Sequence, residues 1–117
     1  MVSGDADLEE KLRRLTFAYA QELPAKIQGI ANRWIQLKSE WSQAAAQDFY
    51  REVHSLSGSS GSFGALELHL QSRKLEQHLS SLTELKQRPP AEKISQIDAA
   101  LGLTASLASD WAKKLAE

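Results

Sequence analysis

Apolar residues recur at alternating intervals of three and four positions along almost the whole chain of 117 residues. That spacing places them on one face of an α-helix, because a helix completes a turn every 3.6 residues. A half-buried strand would alternate with a period of two, and no segment of the sequence does so. The pattern therefore predicts an all-α protein. The apolar stripes are Leu8, Leu12, Leu15 and Tyr19; Ile27, Ile30, Trp34, Leu37 and Trp41; Ala46, Phe49, Val53 and Leu56; Leu68, Leu75, Leu79 and Leu82; and Ile94, Ile97, Leu101, Thr104, Ala108, Trp111 and Leu115.

The breaks between the stripes predict how the helices are connected. Pro24 suits the first turn of a helix or a kink, because it lacks an N–H and its φ is fixed. Ser42 is a plausible N-cap, and the run KQRPPAE ends one helix and starts the next at Ala91. Short connections favour antiparallel neighbours. We therefore expect one domain over 1–117, an antiparallel up-down four-helix bundle at about 24–116 with an additional N-terminal helical segment.

Composition narrows the possible partners. The net charge of −1, with 25% charged and 42% hydrophobic residues, provides no overall field for nucleic acid or anionic lipid. The chain has no cysteine, and no apolar run approaches the roughly 20 residues needed to span a bilayer. No spare apolar stripe is apparent outside the bundle faces. These features predict a cytoplasmic monomer that contacts neither nucleic acid nor membrane.

Catalytic and metal-binding motifs are weak. His54, His69 and His78 lack the spacing of metal ligands, and the sequence has no Glu-x-x-His or H-E-x-x-H motif. The glycine-rich run GSSGSFG is not followed by the Lys and Ser/Thr of a phosphate-binding loop, and no G-x-S-x-G elbow occurs. We therefore expect no metal site, no cofactor and no enzyme active site of these kinds.

His54 stands immediately before a run rich in serine and glycine, HSLSGSSGSFGA. It follows Val53 on the inward stripe, so it is rotated by roughly 100° from the buried face. Gly58 and Gly61 fall on its side of the helix, although each glycine in a helix costs about 1 kcal/mol relative to alanine. One interpretation is that they clear space for a molecule that approaches the imidazole. The other is that the run simply ends the helix in a turn.

The segment HSLSGSSGSFGALELHLQSRKLE resembles the motif of histidine-containing phosphotransfer (HPt) domains. His54 matches the phosphorylated histidine of that family, Leu56 its buried apolar residue and Gly58 the glycine four positions later. Gly64 and Ala65 match the pair that opens the next helix, and Leu75 and Glu76 match a distal Leu-Glu. Ser57 departs from the family, which commonly has lysine there; such variants look like the HPt modules of multidomain bacterial two-component regulators.

The resemblance implies that His54 is a phosphoryl carrier in a phosphorelay and that the domain is not an enzyme. A ring nitrogen of the neutral imidazole, Nε2, would attack the aspartyl phosphate of a receiver domain, and another receiver would then accept the group. The receiver, possibly in the same polypeptide, would supply Mg²⁺ and most catalytic groups, with a hybrid histidine kinase upstream. The phosphoryl environment would comprise Ser57, Gly58 and Arg51. The docking surface would add Gln47, Tyr50, Gly61, Gln71 and Lys74.

Two other interpretations remain open on the sequence. Because Ser57 brings no positive charge, the domain could be a receiver-docking module with the HPt fold that carries no phosphate. Alternatively, the Gly/Ser run is an accidental turn in a helical bundle, in which case His54 would be buried or bonded inward.

Overall fold

The computed structural model describes residues 3–117 and folds them into four α-helices, with no strand in that range. This confirms the prediction of an all-α protein with four helices. The predicted domain also included Met1 and Val2, which lie outside the described residues. The helices are α1 (Ser3–Ser39), α2 (Gln43–Ser62), α3 (Leu66–Ser80) and α4 (Ala91–Ala116).

The predicted additional N-terminal segment is helical but is not a helix of its own, because α1 (37 residues) continues through Pro24 without a break. Proline inside a helix removes one hydrogen bond and costs about 3 kcal/mol. Leu23 before the proline and Ile27 and Ile30 after it are all buried in the same core. Their shared burial keeps the two stretches in one helical phase. The buried core of α1 begins at Tyr19, ahead of the predicted lower bound of the bundle.

The ends of the other helices have specific stop and start signals. Ser42 caps α2, since its side chain accepts a hydrogen bond from the N–H of Ala45 at 3.1 Å, as predicted. At the other end Gly64 adopts φ +75°, and the N–H of Ala65 donates to the carbonyl of Ser60. This is a Schellman arrangement, which needs a left-handed residue after the helix. The Gly/Ser run is therefore mostly helical, and only its end forms the turn.

Helix contacts give the bundle its order. α1 packs against α2 and α4, and α3 packs against the same two helices. Between α1 and α2, Tyr19 forms a hydrogen bond with Ser59 and Arg33 forms an ion pair with Glu52. Residue numbers that increase along α1 therefore contact residue numbers that decrease along α2. The largest fully buried side chains come from all four helices: Trp34, Leu23, Phe49, Val53, Leu68, Leu75 and Ile97.

Trp34 ties α1 to both of its neighbours. Its ring stacks on Phe49 of α2 with centroids 5.4 Å apart, and its indole N–H donates to Asp98 of α4 at 2.6 Å. Lys38 also donates to Asp98, at 3.0 Å. Partial burial of Asp98 favours its neutral form, but the hydrogen bonds from Trp34 and Lys38 and the lysine charge outweigh this effect and lower the pKa of that carboxyl.

The first apolar stripe is not part of the bundle. Leu8, Leu12 and Leu15 are 57%, 53% and 56% exposed, although their spacing resembles that of the buried stripes. The expectation that the chain has no spare apolar stripe is therefore wrong. Among the described residues, none of the helices combines the length and apolarity required to cross a bilayer.

Candidate functional site

His54 stands on the outward side of α2, directly after the fully buried Val53. Its side chain is 70% exposed. The exposure agrees with the helical phase of α2, which rotates His54 away from the core. It disagrees with the interpretation in which an accidental turn leaves this histidine buried. The ring is therefore open to a second molecule.

Glu76 of α3 holds one side of the imidazole. Its Oε2 atom lies 2.7 Å from Nδ1 of His54, and its own side chain is only 18% exposed. Leu75, the preceding residue, is fully buried and anchors this turn of α3 in the core. An ionised carboxylate can only accept a hydrogen bond, so in the neutral imidazole this contact places the one ring proton on Nδ1. The lone pair is then on Nε2, on the opposite edge of the ring.

Tyr50 completes the support for the imidazole. It lies one helical turn before His54, and the two rings are nearly parallel, with centroids 6.3 Å apart and planes inclined by 15°. Its hydroxyl donates to the same Glu76 oxygen at 3.4 Å. Burial and the adjacent Glu76 carboxylate raise the pKa of Tyr50, so the phenol remains a donor at neutral pH. Two side chains of α2 thus share one carboxylate of α3.

The structure separates Ser57 from Gly58, which were predicted to form the phosphoryl environment together. Ser57 is only 5% exposed, and its carbonyl accepts a hydrogen bond from Nδ1 of His69 at 2.7 Å. Gly58 is exposed, and a Cβ added there would meet nothing within 4 Å. The open space next to His54 therefore lies at Gly58.

Gly61 is exposed on α2, and its lack of a side chain also matters inside the molecule. A Cβ at this position would lie 2.9 Å from Nδ1 and 3.3 Å from Cγ of His69. The missing side chain makes room for a histidine of α3 inside the same molecule, which accounts for this glycine without a docking partner. His69 in turn joins α3 to the α2 backbone at Ser57.

The other residues of the predicted docking surface differ in their exposure to solvent. Arg51 and Lys74 are exposed, although Arg51 pairs with Asp48 at 2.8 Å. Gln47 is half-buried and donates to the carbonyl of Thr83. Gln71 is only 8% exposed and its amide donates to the carbonyl of Ala100 in α4, so it does not belong to an exposed surface.

Three residues near His54 were not assigned a role from the sequence. The sequence places Glu76 only in the distal Leu-Glu of the motif, and it gives His69 no role beyond excluding it as a metal ligand. Arg73, one turn before Glu76, lines a cleft of about 100 Å³ with Tyr50 and Glu76. The spacing of Arg73, Glu76 and the buried Leu75 on α3 was available as a signal, but which helix they face depends on tertiary packing. Within residues 3–117 no group of three or more His, Cys, Asp or Glu side chains could hold a metal ion.

The structure is thus an all-α bundle that presents an exposed, carboxylate-supported histidine in the middle of a helix. The family model of the Hpt domain matches residues 7–108, and the chain belongs to this family. Hpt domains carry phosphoryl groups in two-component signalling, are not themselves catalysts and interact with receiver domains and kinases. No curated protein and no solved structure matched the chain significantly.

Proposed function

We propose that His54 accepts a phosphoryl group from the aspartate of a receiver domain and passes it to another receiver. The observation that supports this role is the pairing of an exposed imidazole with Glu76 at 2.7 Å. The pairing orients the ring, fixes its proton on Nδ1 and directs the Nε2 lone pair to solvent. A nucleophile held by a second, oriented group is the usual arrangement for covalent transfer.

The proposed step exchanges one bond to phosphorus for another. The Nε2 lone pair of His54 attacks the phosphorus of the aspartyl phosphate, an N–P bond forms and the O–P bond breaks. The receiver aspartate leaves as a free carboxylate. The Nδ1 proton stays with the ring, and Glu76 stabilises the positive charge that the imidazole gains during attack. Tyr50 holds the same carboxylate in place. The reverse step delivers the group to a second receiver.

The receiver would dock on the exposed face of α2 around His54. Arg51, Gly58 and Gly61 are the exposed members of the predicted surface on this helix, Gln47 and Tyr50 are half-buried there, and Lys74 is exposed on α3. Gly58 leaves room for close approach of the partner. Because the buried Ser57 brings no charge to the phosphoryl group, we propose that the receiver and its Mg²⁺ provide most of the charge stabilisation, with Arg51 available when it leaves Asp48.

The bundle that presents this face is inferred to be antiparallel and up-down. Contacts with opposite numerical order support this arrangement, for example His54 with Glu76 and Ser57 with His69 between α2 and α3. A place for the domain in the cytoplasm of a bacterium, in a relay fed by a hybrid kinase, remains a prediction of the same proposal.

A receiver-docking module that carries no phosphate is the second candidate, and the burial of the uncharged Ser57 favours it. The two are distinguished by ³¹P NMR at alkaline pH after incubation with a phosphorylated receiver. Phosphotransfer predicts a single phosphoramidate resonance of the Nε2 isomer. Binding of the receiver without any phosphoramidate would favour docking alone, and an Nδ1 isomer would contradict the role given to Glu76.

A further inference from the structure

The first four turns of α1 extend beyond the bundle. Tyr19 is the first buried residue of α1, and it stacks on Phe63 at the end of α2 with ring centroids 4.5 Å apart. It also meets Trp111, near the end of α4. The overall extents of 60 × 24 × 20 Å reflect this projection, since a helix of 37 residues spans about 55 Å. Residues 3–16 thus form a helix beyond its packing partners.

This projecting segment carries an apolar stripe. Leu8, Leu12 and Leu15 follow a 4–3 spacing, and each is more than half exposed. Such spacing is that of the a and d positions that line the seam between two helices of a coiled coil. An isolated helix of about 12–15 residues is marginally stable in water, because helices obtain most of their stability from packing an apolar face. The exposed leucines and the marginal stability of an isolated helix both indicate that another helix packs on this face.

The charges of the segment identify that helix as a second copy. Its first half is acidic and its second half basic, so two copies in antiparallel order place unlike charges side by side, whereas parallel order places like charges together. Within one copy, Arg13 and Arg14 both pair with Glu10, but these ion pairs are exposed and weak, so both arginines can exchange them for acids of the second copy. The acidic residues are Asp5, Asp7, Glu9 and Glu10, and the basic ones are Lys11, Arg13 and Arg14.

We infer that two copies of this chain associate through residues 3–16 of α1 as an antiparallel helix pair, with the leucine stripe as its seam. A seam of three leucines from each copy is small compared with stable interfaces, so the dimer is weak and reversible. The pairing leaves the His54 face of each bundle free, because that face lies on α2 beyond the projecting segment. The inference therefore does not depend on the proposed phosphotransfer.

Sedimentation equilibrium of the full chain from about 10 µM to about 1 mM tests the association, a range in which weak dimers populate. The wild type should rise from 13.0 kDa towards twice that mass. Leu12→Lys should weaken the dimer more than tenfold while circular dichroism shows the fold retained, since Leu12 lies outside the core. Leu103→Lys is the matched control, because Leu103 is 50% exposed on α4 and should have no effect. A wild type that stays monomeric throughout, or a Leu12→Lys variant that dimerises like the wild type, would overturn the inference.

Orientation is tested by a spin label on Asn32→Cys, in a chain with no other cysteine. Because α1 is one continuous helix, antiparallel pairing about Lys11 and Leu12, which places Leu8 opposite Leu15, separates the two labels by about 60 Å. Parallel pairing would bring them within about 30 Å, since packed helix axes lie 8–10 Å apart, and would contradict the inference. Raised salt should weaken the antiparallel dimer several-fold. His54→Gln should dimerise like the wild type, so failure of the dimer and failure of phosphotransfer are separable.

Discussion

Nδ1 of His54 and Oε2 of Glu76 lie 2.7 Å apart across the α2–α3 contact. The histidine side chain is 70% exposed and the glutamate 18%, so the pair joins a reactive group in solvent to a support fixed by the bundle. The contact makes the two ring nitrogens of His54 inequivalent. Nδ1 contacts the protein at Glu76, and Nε2 is the nitrogen that we propose as the nucleophile.

Loss of the carboxylate should therefore slow phosphotransfer. We expect Glu76→Gln to reduce the rate of transfer from a phosphorylated receiver roughly tenfold, which corresponds to about 1.4 kcal/mol of barrier. The amide retains an acceptor but loses the charge that stabilises the cationic ring. Rapid-quench measurement of the phosphorylated chain gives this rate. Glu84→Gln, in the exposed connection after α3, is the matched control and should transfer at the wild-type rate; equal rates for both variants would contradict the role of Glu76.

The two glycines of α2 near His54 should respond oppositely to alanine. Gly61→Ala should lower the free energy of unfolding by about 1 kcal/mol, because the new methyl group overlaps the His69 ring. Gly58→Ala should raise it by up to about 1 kcal/mol, since the site is open and alanine favours the helix. Urea unfolding measures both.

The Gly58→Ala variant also distinguishes an effect on stability from an effect on receiver binding. If a receiver approaches closely at Gly58, Gly58→Ala should weaken receiver binding although it stabilises the free domain. Calorimetric titration with the receiver measures this. Unchanged affinity would show that the space at Gly58 is not used.

Asp98 should contribute to stability through Trp34, whose indole N–H would otherwise be buried without a partner. We expect Asp98→Ala to cost about 1–2 kcal/mol at pH 7. Asp110→Ala, at an exposed position of the same helix, should cost much less. Since the pKa of Asp98 is lowered from its usual 3.8, its contribution is present above that pH and is lost as the pH falls through the folded-state value. Unfolding curves at pH 7 and at pH 3 that show the same cost for Asp98→Ala would contradict this account.

Tyr19 should make the domain sensitive to alkali. Burial raises the pKa of Tyr19 above its usual 10.0, and the hydrogen bond with Ser59 offsets only part of that effect. Its contribution is therefore complete below pH 10 and is lost as the pH rises through the folded-state pKa. Tyr19→Phe should cost about 1 kcal/mol at pH 7, for the hydrogen bond. Above pH 10 the variant should lose stability less steeply than the wild type, and parallel pH profiles would refute the assignment.

Local sequence patterns predicted the features that depend on a single helix. They failed for features that depend on how two helices pack against each other. The phase of Val53 and Leu56 was enough to place His54 towards solvent, and Ser42 and Ala91 correctly marked the starts of α2 and α4. The prediction that the run KQRPPAE ends the preceding helix is wrong, because α3 ends at Ser80 and residues 81–84 form a turn. The role of Gly61 required the register between α2 and α3, which brings His69 beneath it. The contact of Glu76 with His54 depends on the same register.

Two other predictions failed because the sequence does not show which part of α1 the hydrophobic core covers. Pro24 is a strong local signal for a break, but the buried residues on both sides of it outweigh the lost hydrogen bond. The stripe at Leu8, Leu12 and Leu15 has the pattern of a buried face, yet α2 and α4 end before they could cover it. Periodicity shows that a face is apolar and does not show what packs against it.

The most direct test of the central claim is transfer of a ³²P-labelled phosphoryl group from a phosphorylated receiver to this chain. We predict that the wild type, His69→Gln and His78→Gln acquire an acid-labile, alkali-stable label, and that His54→Gln, folded by circular dichroism, acquires none. A His54→Gln variant that accepts the label as well as the wild type would contradict the account.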